Sequence, residues 1–343
     1  TPLRFQTMAN LPVLDLSDLD RGEASAAAFR TRLREATHDV GFLYLVGHGV
    51  DDDLQSRVHG LARAFFALPD ERKRAIENVT SPHFRGWTRL GGERTEGKVD
   101  RREQIDVGPE RAPSDRDDAD YWRLQGPNLW PESLPELEVV VREWHDRLTD
   151  VGRRLLAAWA ESLGAPADVF DDAFADPFTL IKIVRYPGSD ARRDGQGVGA
   201  HKDSGVLTLL WVEPGKDGLQ VEIDGEWVDA PPIDGAFVVN IGELLEHATN
   251  GYLQATRHRV LSPRSGEDRV SIPFFLNPAL DARIPVLDLP PALAAEARGV
   301  SQDPSNPIHA TYGENALKSR LRAHPDVAAI HHPDLVAART ASA

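Results

Sequence analysis

Five side chains in the second half of the chain have the types and spacing of a metal site followed by an anion site. His201 and Asp203 are two residues apart, His258 follows later, and Arg269 and Ser271 are again two residues apart. Two histidine nitrogens and one carboxylate oxygen on one face of a metal leave its other positions open, as non-haem Fe(II) oxygenases require. The pattern therefore predicts oxidation chemistry at iron.

The spacing His-x-Asp occurs three times, beginning at His201, His324 and His332, so its context has to decide. The last two are His-Pro-Asp in a C-terminal segment, where proline interrupts regular structure and a frayed or surface position is expected. His201 and Asp203 lead into the apolar run 206–212, and residues i and i+2 of a strand point the same way. We therefore expect these two side chains to converge on one ion.

The third ligand has two candidates, His247 and His258. The segment 242–251 indicates a short helical turn closed by Asn-Gly, in which His247 beside Glu246 is most simply solvated. His258 lies in the strand-like stretch 255–261. We favour His258.

Arg269 and Ser271 repeat the i, i+2 spacing on the next apolar strand, 269–276. A guanidinium beside a hydroxyl can hold a carboxylate, and a buried charge is seldom left unpaired. The alternative is a structural arginine paired with an aspartate of the same protein. The position of Arg269, eleven residues after a proposed iron ligand, favours the anion site.

A series of short motifs runs in order along nearly the whole chain. It comprises Leu-Pro-Val-Leu-Asp-Leu at 11–16, Gly-Phe-x5-His-Gly at 41–49, and the segments 65–69, 85–87, 126–131 and 312–314. In this order the motifs resemble those of the isopenicillin N synthase-like group of iron(II)/2-oxoglutarate-dependent dioxygenases. The resemblance implies an α+β, mainly β fold, with a double-stranded β-helix (jelly roll) core flanked by helices.

The same resemblance implies roles for individual residues. It implies iron ligands at His201, Asp203 and His258, and a binding site for the cosubstrate 2-oxoglutarate at Arg269, Ser271 and Tyr186. Many plant members have Asn where this chain has Val184, so one polar contact to the cosubstrate is missing. Arg185 is a candidate to compensate or to contact the substrate, and a surface-facing strand arginine is an equal alternative.

The reaction implied is the O2-dependent oxidation of a small molecule, with release of succinate and CO2. Hydroxylation, desaturation and ring closure all fit this scheme. Two other functions stay open: an iron oxidase of the same fold that needs no 2-oxoglutarate, and a non-catalytic binding protein on a jelly-roll scaffold.

The substrate is expected to be amino-acid-like or cationic. By analogy with the family, segments 83–106 and 311–325 line the mouth of the pocket. Glu93, Thr95 and Arg322 fall where the bacterial ethylene-forming enzyme contacts its arginine substrate, although Ser204 replaces a tyrosine there. Glu93 would supply the counter-charge. Its alternative role is a loop salt bridge with a nearby arginine.

Composition limits the other possibilities. The chain has 343 residues, no cysteine and a net charge of −15. Without cysteine, disulfides and thiolate metal sites are excluded, and an acidic chain is a poor binder of nucleic acid. No apolar stretch is long enough for a bilayer and no signal segment is evident, so we expect a cytoplasmic protein without membrane partners.

The hydrophobic spacing predicts helices at 22–39, 52–77 and 135–164, then short strands from residue 178 with a hairpin turn at Asp224-Gly225. We expect one catalytic unit, 1–343. It would comprise an N-terminal dioxygenase region at 9–125, an iron and 2-oxoglutarate jelly-roll core at 176–281 and a C-terminal extension at 282–343.

Overall fold

Two β-sheets of unequal size carry the candidate site, and helices pack on the larger one. The computed structural model describes residues 11–190, 195–300 and 306–341. The helices in this part of the chain are α1 (Glu23–Asp39), α2 (Asp52–Phe66), α3 (Asp70–Arg74), α4 (Glu136–Ser162), α5 (Glu243–Ala248), α6 (Pro291–Ala294), α7 (Tyr312–Ala323), α8 (Pro325–His331) and α9 (Pro333–Ala341). None of them has the length and apolar character needed to cross a membrane.

The strands alternate with these helices along the chain. They are β1 (Val13–Asp15), β2 (Phe42–Val46), β3 (Gly86–Thr88), β4 (Arg94–Thr95), β5 (Lys98–Val99), β6 (Glu103–Val107), β7 (Leu180–Pro187), β8 (Gln196–His201), β9 (Leu207–Val212), β10 (Leu219–Ile223), β11 (Glu226–Asp229), β12 (Phe237–Ile241), β13 (His258–Leu261) and β14 (Asp268–Leu276). The major sheet has the order β1-β2-β12-β9-β14-β7-β6-β3, and the minor sheet has the order β11-β10-β13-β8. Strands β4 and β5 form a separate hairpin. This is the jelly-roll core with flanking helices that the sequence predicted.

Side chains of the major sheet alternate between two environments, because successive residues of a strand point to opposite faces. In β14, Val270, Ile272, Phe274 and Leu276 belong to the core that the sheet shares with the helices. The intervening residues of β14, which begin with Arg269 and Ser271, line a cavity on the other face. The prediction that Arg269 and Ser271 lie on the same face of one strand is therefore confirmed.

Helices α1, α2 and α4 supply most of the outer core. Helix α4, predicted over 135–164, has Trp144, Leu148 and Trp159 fully buried. Helix α2 begins with Asp51, whose side chain accepts a hydrogen bond from the amide of Asp53 at 2.7 Å. Such a cap satisfies one of the unpaired amides at a helix start.

The helix predicted over 52–77 is shorter than expected. Helix α2 ends at Phe66, and α3 begins at Asp70. Pro69 disfavours helical backbone at Leu68, and this explains the break. The predicted hairpin is confirmed: Asp224 and Gly225 have φ of 51° and 78° between β10 and β11.

The C-terminal histidines are not at the surface, so that expectation was wrong. His324 and His332 are 1% and 2% exposed. The Nε2 atom of His332 hydrogen-bonds the carbonyl of Pro82 at 2.8 Å, and its ring stacks on Phe84. Proline begins α8 and α9 rather than ending regular structure, because the first turn of a helix tolerates it. Neither histidine belongs to a metal-like cluster in the described residues.

Candidate active site

His201, Asp203 and His258 come together between β8 and β13. These strands are antiparallel, and His201 is the direct partner of His258. One potential ligand atom from each of the three residues lies within 4.8 Å of the other two. The Nε2 atoms of His201 and His258 are 3.5 Å and 3.7 Å from Oδ1 of Asp203. A single ion can therefore reach all three atoms.

Asp203 reaches this position from a loop, not from a strand as expected. Strand β8 ends at His201, and Asp203 precedes β9. The carbonyl of Asp203 accepts the amide of Glu243 at 2.8 Å, which ties the loop to the start of α5. A Cβ at Gly242 would lie 2.8 Å from that carbonyl, so glycine permits the close approach.

Both histidine rings are oriented by backbone carbonyls. The Nδ1 atom of His201 is 2.8 Å from the carbonyl of Gly199, and that of His258 is 3.1 Å from the carbonyl of Thr256. Each Nδ1 must donate to its carbonyl, which leaves a lone pair on Nε2. Metal-ligating histidines commonly have this arrangement.

Asp203 is oriented in the same way. Its Oδ2 atom accepts hydrogen bonds from Oγ1 of Thr208 at 2.6 Å and Nδ2 of Asn240 at 2.8 Å. Its Oδ1 atom remains for an ion. The sequence analysis missed Thr208 and Asn240, although each is a buried polar residue within an otherwise apolar strand.

The charges of the site favour a cation. Burial would raise the pKa of Asp203, but its interactions with His258 and His201 and the hydrogen bond from Thr208 hold that pKa well below its usual range. Burial, together with the neighbouring His201, lowers the pKa of His258 to about 4. Burial also opposes protonation of His201, but Asp203 raises the pKa of that ring. At neutral pH the site therefore has a carboxylate and at least one neutral imidazole.

Arg269 is a buried cation without a carboxylate partner among the described residues. The side chain is 1% exposed, and its Nε and both Nη atoms have no hydrogen-bond partner among the described residues. Its guanidinium lies 5.1 Å from the centre of the Tyr186 ring. Burial lowers the pKa of Arg269. A buried guanidinium without a hydrogen-bond partner fits an anionic ligand, and none of the described aspartates forms the structural pair that was the alternative.

A cavity of about 1150 Å³ joins the two sites. Its walls include the three metal-like residues together with Tyr186, Arg269 and Ser271. The segments expected at the mouth also contribute, through residues between 85 and 102 and between 312 and 323. The triad and the arginine can therefore act on ligands that share one chamber.

Glu93 lies in this cavity and is 4% exposed. Its Oε1 atom accepts hydrogen bonds or ion pairs from Nζ of Lys182 at 2.7 Å and Nη2 of Arg102 at 3.0 Å. Its Oε2 atom has no partner among the described residues. Burial would raise the pKa of Glu93, but Arg102 and Lys182 lower it, so the carboxylate is charged.

The remaining candidates occupy different places. Thr95 lines the cavity and donates its hydroxyl to Oδ2 of Asp100 at 2.6 Å. Arg322 lies on the exposed rim of the cavity and bonds Asn306.

Arg185 is not in the lining, so its expected role as a ligand contact is wrong. It neighbours Tyr186 on β7 and therefore faces the opposite way, where it binds Asp268 at 2.9 Å and Glu103 at 2.8 Å.

Comparison with known proteins places this geometry in a family. Residues 11–133 match the family described as non-haem dioxygenase in morphine synthesis N-terminal, and residues 178–278 match the 2OG-Fe(II) oxygenase superfamily. The 2-oxoglutarate-dependent dioxygenase frbJ of Dothideomycetidae sp. (strain 11243) is 40% identical, and the match covers 93% of this chain and 90% of that protein. The homoarginine-6-hydroxylase 2-ODD-C23.2 of Arabidopsis thaliana is 36% identical, and the match covers 81% of this chain and 80% of that protein.

Solved structures agree with the sequence relatives. JOX2 in complex with 2OG, Fe and JA has a TM-score of 0.72 at 26% identity, and the match covers 93% of this chain and 88% of that one. Neurospora crassa T7H in complex with alpha-KG has a TM-score of 0.71 at 25% identity, and the match covers 86% of this chain and 93% of that one. The two sequence relatives named above are a fungal and a plant protein, and the expected likeness to a bacterial ethylene-forming enzyme stays a prediction. The chain belongs to the 2OG-Fe(II) oxygenase superfamily, and it is a non-haem iron, 2-oxoglutarate-dependent dioxygenase that acts on a small molecule.

Proposed function

We propose that His201, Asp203 and His258 are the iron ligands, and that Arg269 binds the distal carboxylate of 2-oxoglutarate. The orientation of both imidazoles and of Asp203 Oδ1 toward one point supports the first assignment. The unpartnered guanidinium of Arg269 supports the second. Ser271 shares the strand face of Arg269, and Tyr186 lies against it, so both contribute to the same carboxylate site.

Iron with 2-oxoglutarate and O2 supplies the oxidant for a substrate carbon, and the protein contributes position and exclusion of water. Thr208 and Asn240 keep Asp203 Oδ1 directed at the ion. Arg269 would hold the distal carboxylate of 2-oxoglutarate in the cavity that also contains the three ligands. The rest of the cavity is then left for the substrate.

We further propose that the substrate is an amino-acid-like molecule with a cationic end, bound by Glu93. The observation that carries this proposal is the buried, unpartnered Oε2 atom of Glu93 in the cavity wall. A guanidinium or ammonium group that reaches Glu93 would satisfy it. Thr95 has its donor committed to Asp100, so its oxygen can accept from the same group.

The relatives support this substrate class. Four plant proteins between 32% and 36% identical to this chain are named homoarginine-6-hydroxylases. Homoarginine has both features of the proposal, an amino acid group and a guanidinium end. Arg322, on the exposed rim, is placed to contact a substrate as it enters.

Glu93→Gln is expected to lower kcat/KM for L-homoarginine or L-arginine about 10- to 100-fold, the size of one charged hydrogen bond. Succinate formed per minute at each amino acid concentration measures the effect. Turnover of 2-oxoglutarate without an amino acid should change little, because Glu93 does not contact the proposed cosubstrate site.

Glu96→Gln is the matched control, because Glu96 has 65% of its side chain exposed on the same hairpin. It should leave kcat/KM nearly unchanged. L-homocitrulline, which has the shape of homoarginine without its charge, should be a poor substrate of the wild-type protein. Equal activity on homoarginine and homocitrulline, or no succinate above background with either basic amino acid, would rule out the cationic substrate.

A further inference from the structure

Arg85 is a second buried arginine that forms no ion pair within the part of the chain that the structure describes. Of the described residues, the arginines that are buried are Arg85, Arg102 and Arg269. Arg102 is paired with Glu93 and Asp100, each at 3.0 Å. Arg269 is assigned above to the cosubstrate. Arg85 is 1% exposed and forms no ion pair with any described residue.

The guanidinium of Arg85 is held in a fixed position with donors to spare. Its Nη1 atom donates to the carbonyl of His83 at 3.1 Å, and its Nη2 atom donates to the carbonyl of Leu124 at 3.3 Å. Its Nε atom has no partner. An arginine has five N–H donors, and these bonds use two of them.

Two neighbours confine the plane of this group. The guanidinium lies 5.4 Å from the centre of the Phe178 ring. A Cβ at Gly108 would lie 2.2 Å from Nη2 of Arg85, so only glycine leaves room there. The arginine is thus positioned before any ligand arrives, which lowers the entropy lost on binding.

Arg85 lines the same cavity as the iron ligands and Arg269. Cationic side chains outnumber carboxylates in that lining, although the whole chain has a net charge of −15. Burial, together with the charge of Arg320, lowers the pKa of Arg85 to about 9. A buried cation without a partner is unfavourable, so an anionic ligand in this part of the cavity would be stabilised.

Strand β6 lies between the strand that follows Arg85 and the strand that carries Lys182, the partner of Glu93. Gly86, which follows Arg85, pairs with Asp106 across β3 and β6, and Asp106 pairs with Lys182 across β6 and β7. Lys182 binds Glu93. The backbones of Gly86 and Lys182 are therefore two strand spacings apart, roughly 10 Å, and the Lys182 side chain extends from there to Glu93. Arg85 and Glu93 are thus separate points on the cavity wall, as recognition of the two ends of an extended amino acid requires.

We propose that Arg85 binds the carboxylate of the substrate, at the end opposite to the cationic group that Glu93 binds. The inference rests on the proposed amino-acid-like substrate and adds the residue that recognises its acid group. Arg85 and Arg269 then receive one carboxylate each, from the substrate and from 2-oxoglutarate.

Titration of the anaerobic holoenzyme, loaded with Fe(II) and 2-oxoglutarate, tests this assignment through the change in its visible absorption. The titrants are L-homoarginine and its carboxamide. Wild-type protein should bind the acid about 10- to 100-fold more tightly than the amide, because the amide lacks the charge-assisted bonds. In Arg85→Met the ratio should fall below about 3, through weaker binding of the acid.

Arg257→Met is the control, because Arg257 lines the same cavity with 46% of its side chain exposed. It removes an equal charge and should preserve the ratio. Arg85→Lys keeps the charge and should give an acid-to-amide binding ratio between those of wild type and Arg85→Met. It provides the test if Arg85→Met folds poorly.

Equal binding of acid and amide by wild-type protein would overturn the proposal. The proposal would also fail if Arg85 variants weakened the binding of acid and amide by the same factor. Arg85 would then have only a structural role, through its hydrogen bonds to the carbonyls of His83 and Leu124. L-homocitrulline separates this outcome from failure at Glu93, because it keeps the carboxylate and lacks the cation. If it binds as tightly as homoarginine, the Glu93 assignment fails and the comparison of acid with amide still decides the role of Arg85.

Discussion

Asp203→Ala is expected to reduce Fe(II) affinity and succinate formation by more than about 100-fold. Replacing a residue that only orients a metal ligand typically costs 10- to 100-fold in affinity or activity, and Asp203 is the proposed ligand itself. The variant also leaves two imidazoles without the carboxylate that lies 3.5 Å and 3.7 Å from their Nε2 atoms. Iron retained after anaerobic gel filtration and succinate formed from 2-oxoglutarate measure the two effects.

His247→Ala is the matched control for the metal site. His247 lies on α5 and was the competing candidate for the third ligand, but it is outside the cluster formed by the described residues. Its replacement should leave iron content and succinate formation within about 2-fold, as for most substitutions away from buried networks. Loss of iron from His247→Ala but not from Asp203→Ala would contradict the assignment.

Arg269→Met is expected to raise the KM for 2-oxoglutarate at least about 30-fold, since truncating one member of a buried charged pair costs 2 kcal/mol or more. Fe(II) binding should persist, because Arg269 is not in the metal cluster. Initial rates of 2-oxoglutarate consumption over a concentration series give the KM. Methionine has similar length, so the apolar part of the side chain keeps its packing.

Arg185→Met provides the comparison. Arg185 is the neighbour of Tyr186 on β7, and its guanidinium binds Asp268 and Glu103 outside the cavity. Its removal should lower the melting temperature and leave the KM for 2-oxoglutarate within about 2-fold. An unchanged KM in Arg269→Met, or an equal rise in both variants, would remove Arg269 from the cosubstrate site.

The sequence predicted the parts of the site that depend on local strand geometry. Arg269 and Ser271 share a face because β14 alternates regularly. The strand-like sequence around His258 favours it over His247 as the third ligand. The pairing of β13 with β8 does bring His258 opposite His201. Asp203 lies beside His201, as predicted, but it is not on the same strand. A loop that hydrogen-bonds to the start of α5 positions it.

The sequence could not predict contacts between distant segments. Lys182 binds Glu93 across 89 residues, and only the folded sheet brings them together. His324 was expected near the surface because proline follows it, yet α7 and α8 bury it within 3.5 Å of Asp106. Arg85 formed part of a recognised motif, but nothing in the motif indicated that its guanidinium is buried without a carboxylate. The subdivision into regions at 9–125, 176–281 and 282–343 stays a prediction.

Anaerobic titration of the metal-free protein with Fe(II) and 2-oxoglutarate tests the iron and cosubstrate site most directly. We expect a visible charge-transfer band that requires both additions, saturates at one equivalent of each, and is lost in Asp203→Ala and weakened in Arg269→Met. A band of undiminished intensity in Asp203→Ala, or no band in wild-type protein at saturating Fe(II) and 2-oxoglutarate, would contradict the assignment of this site.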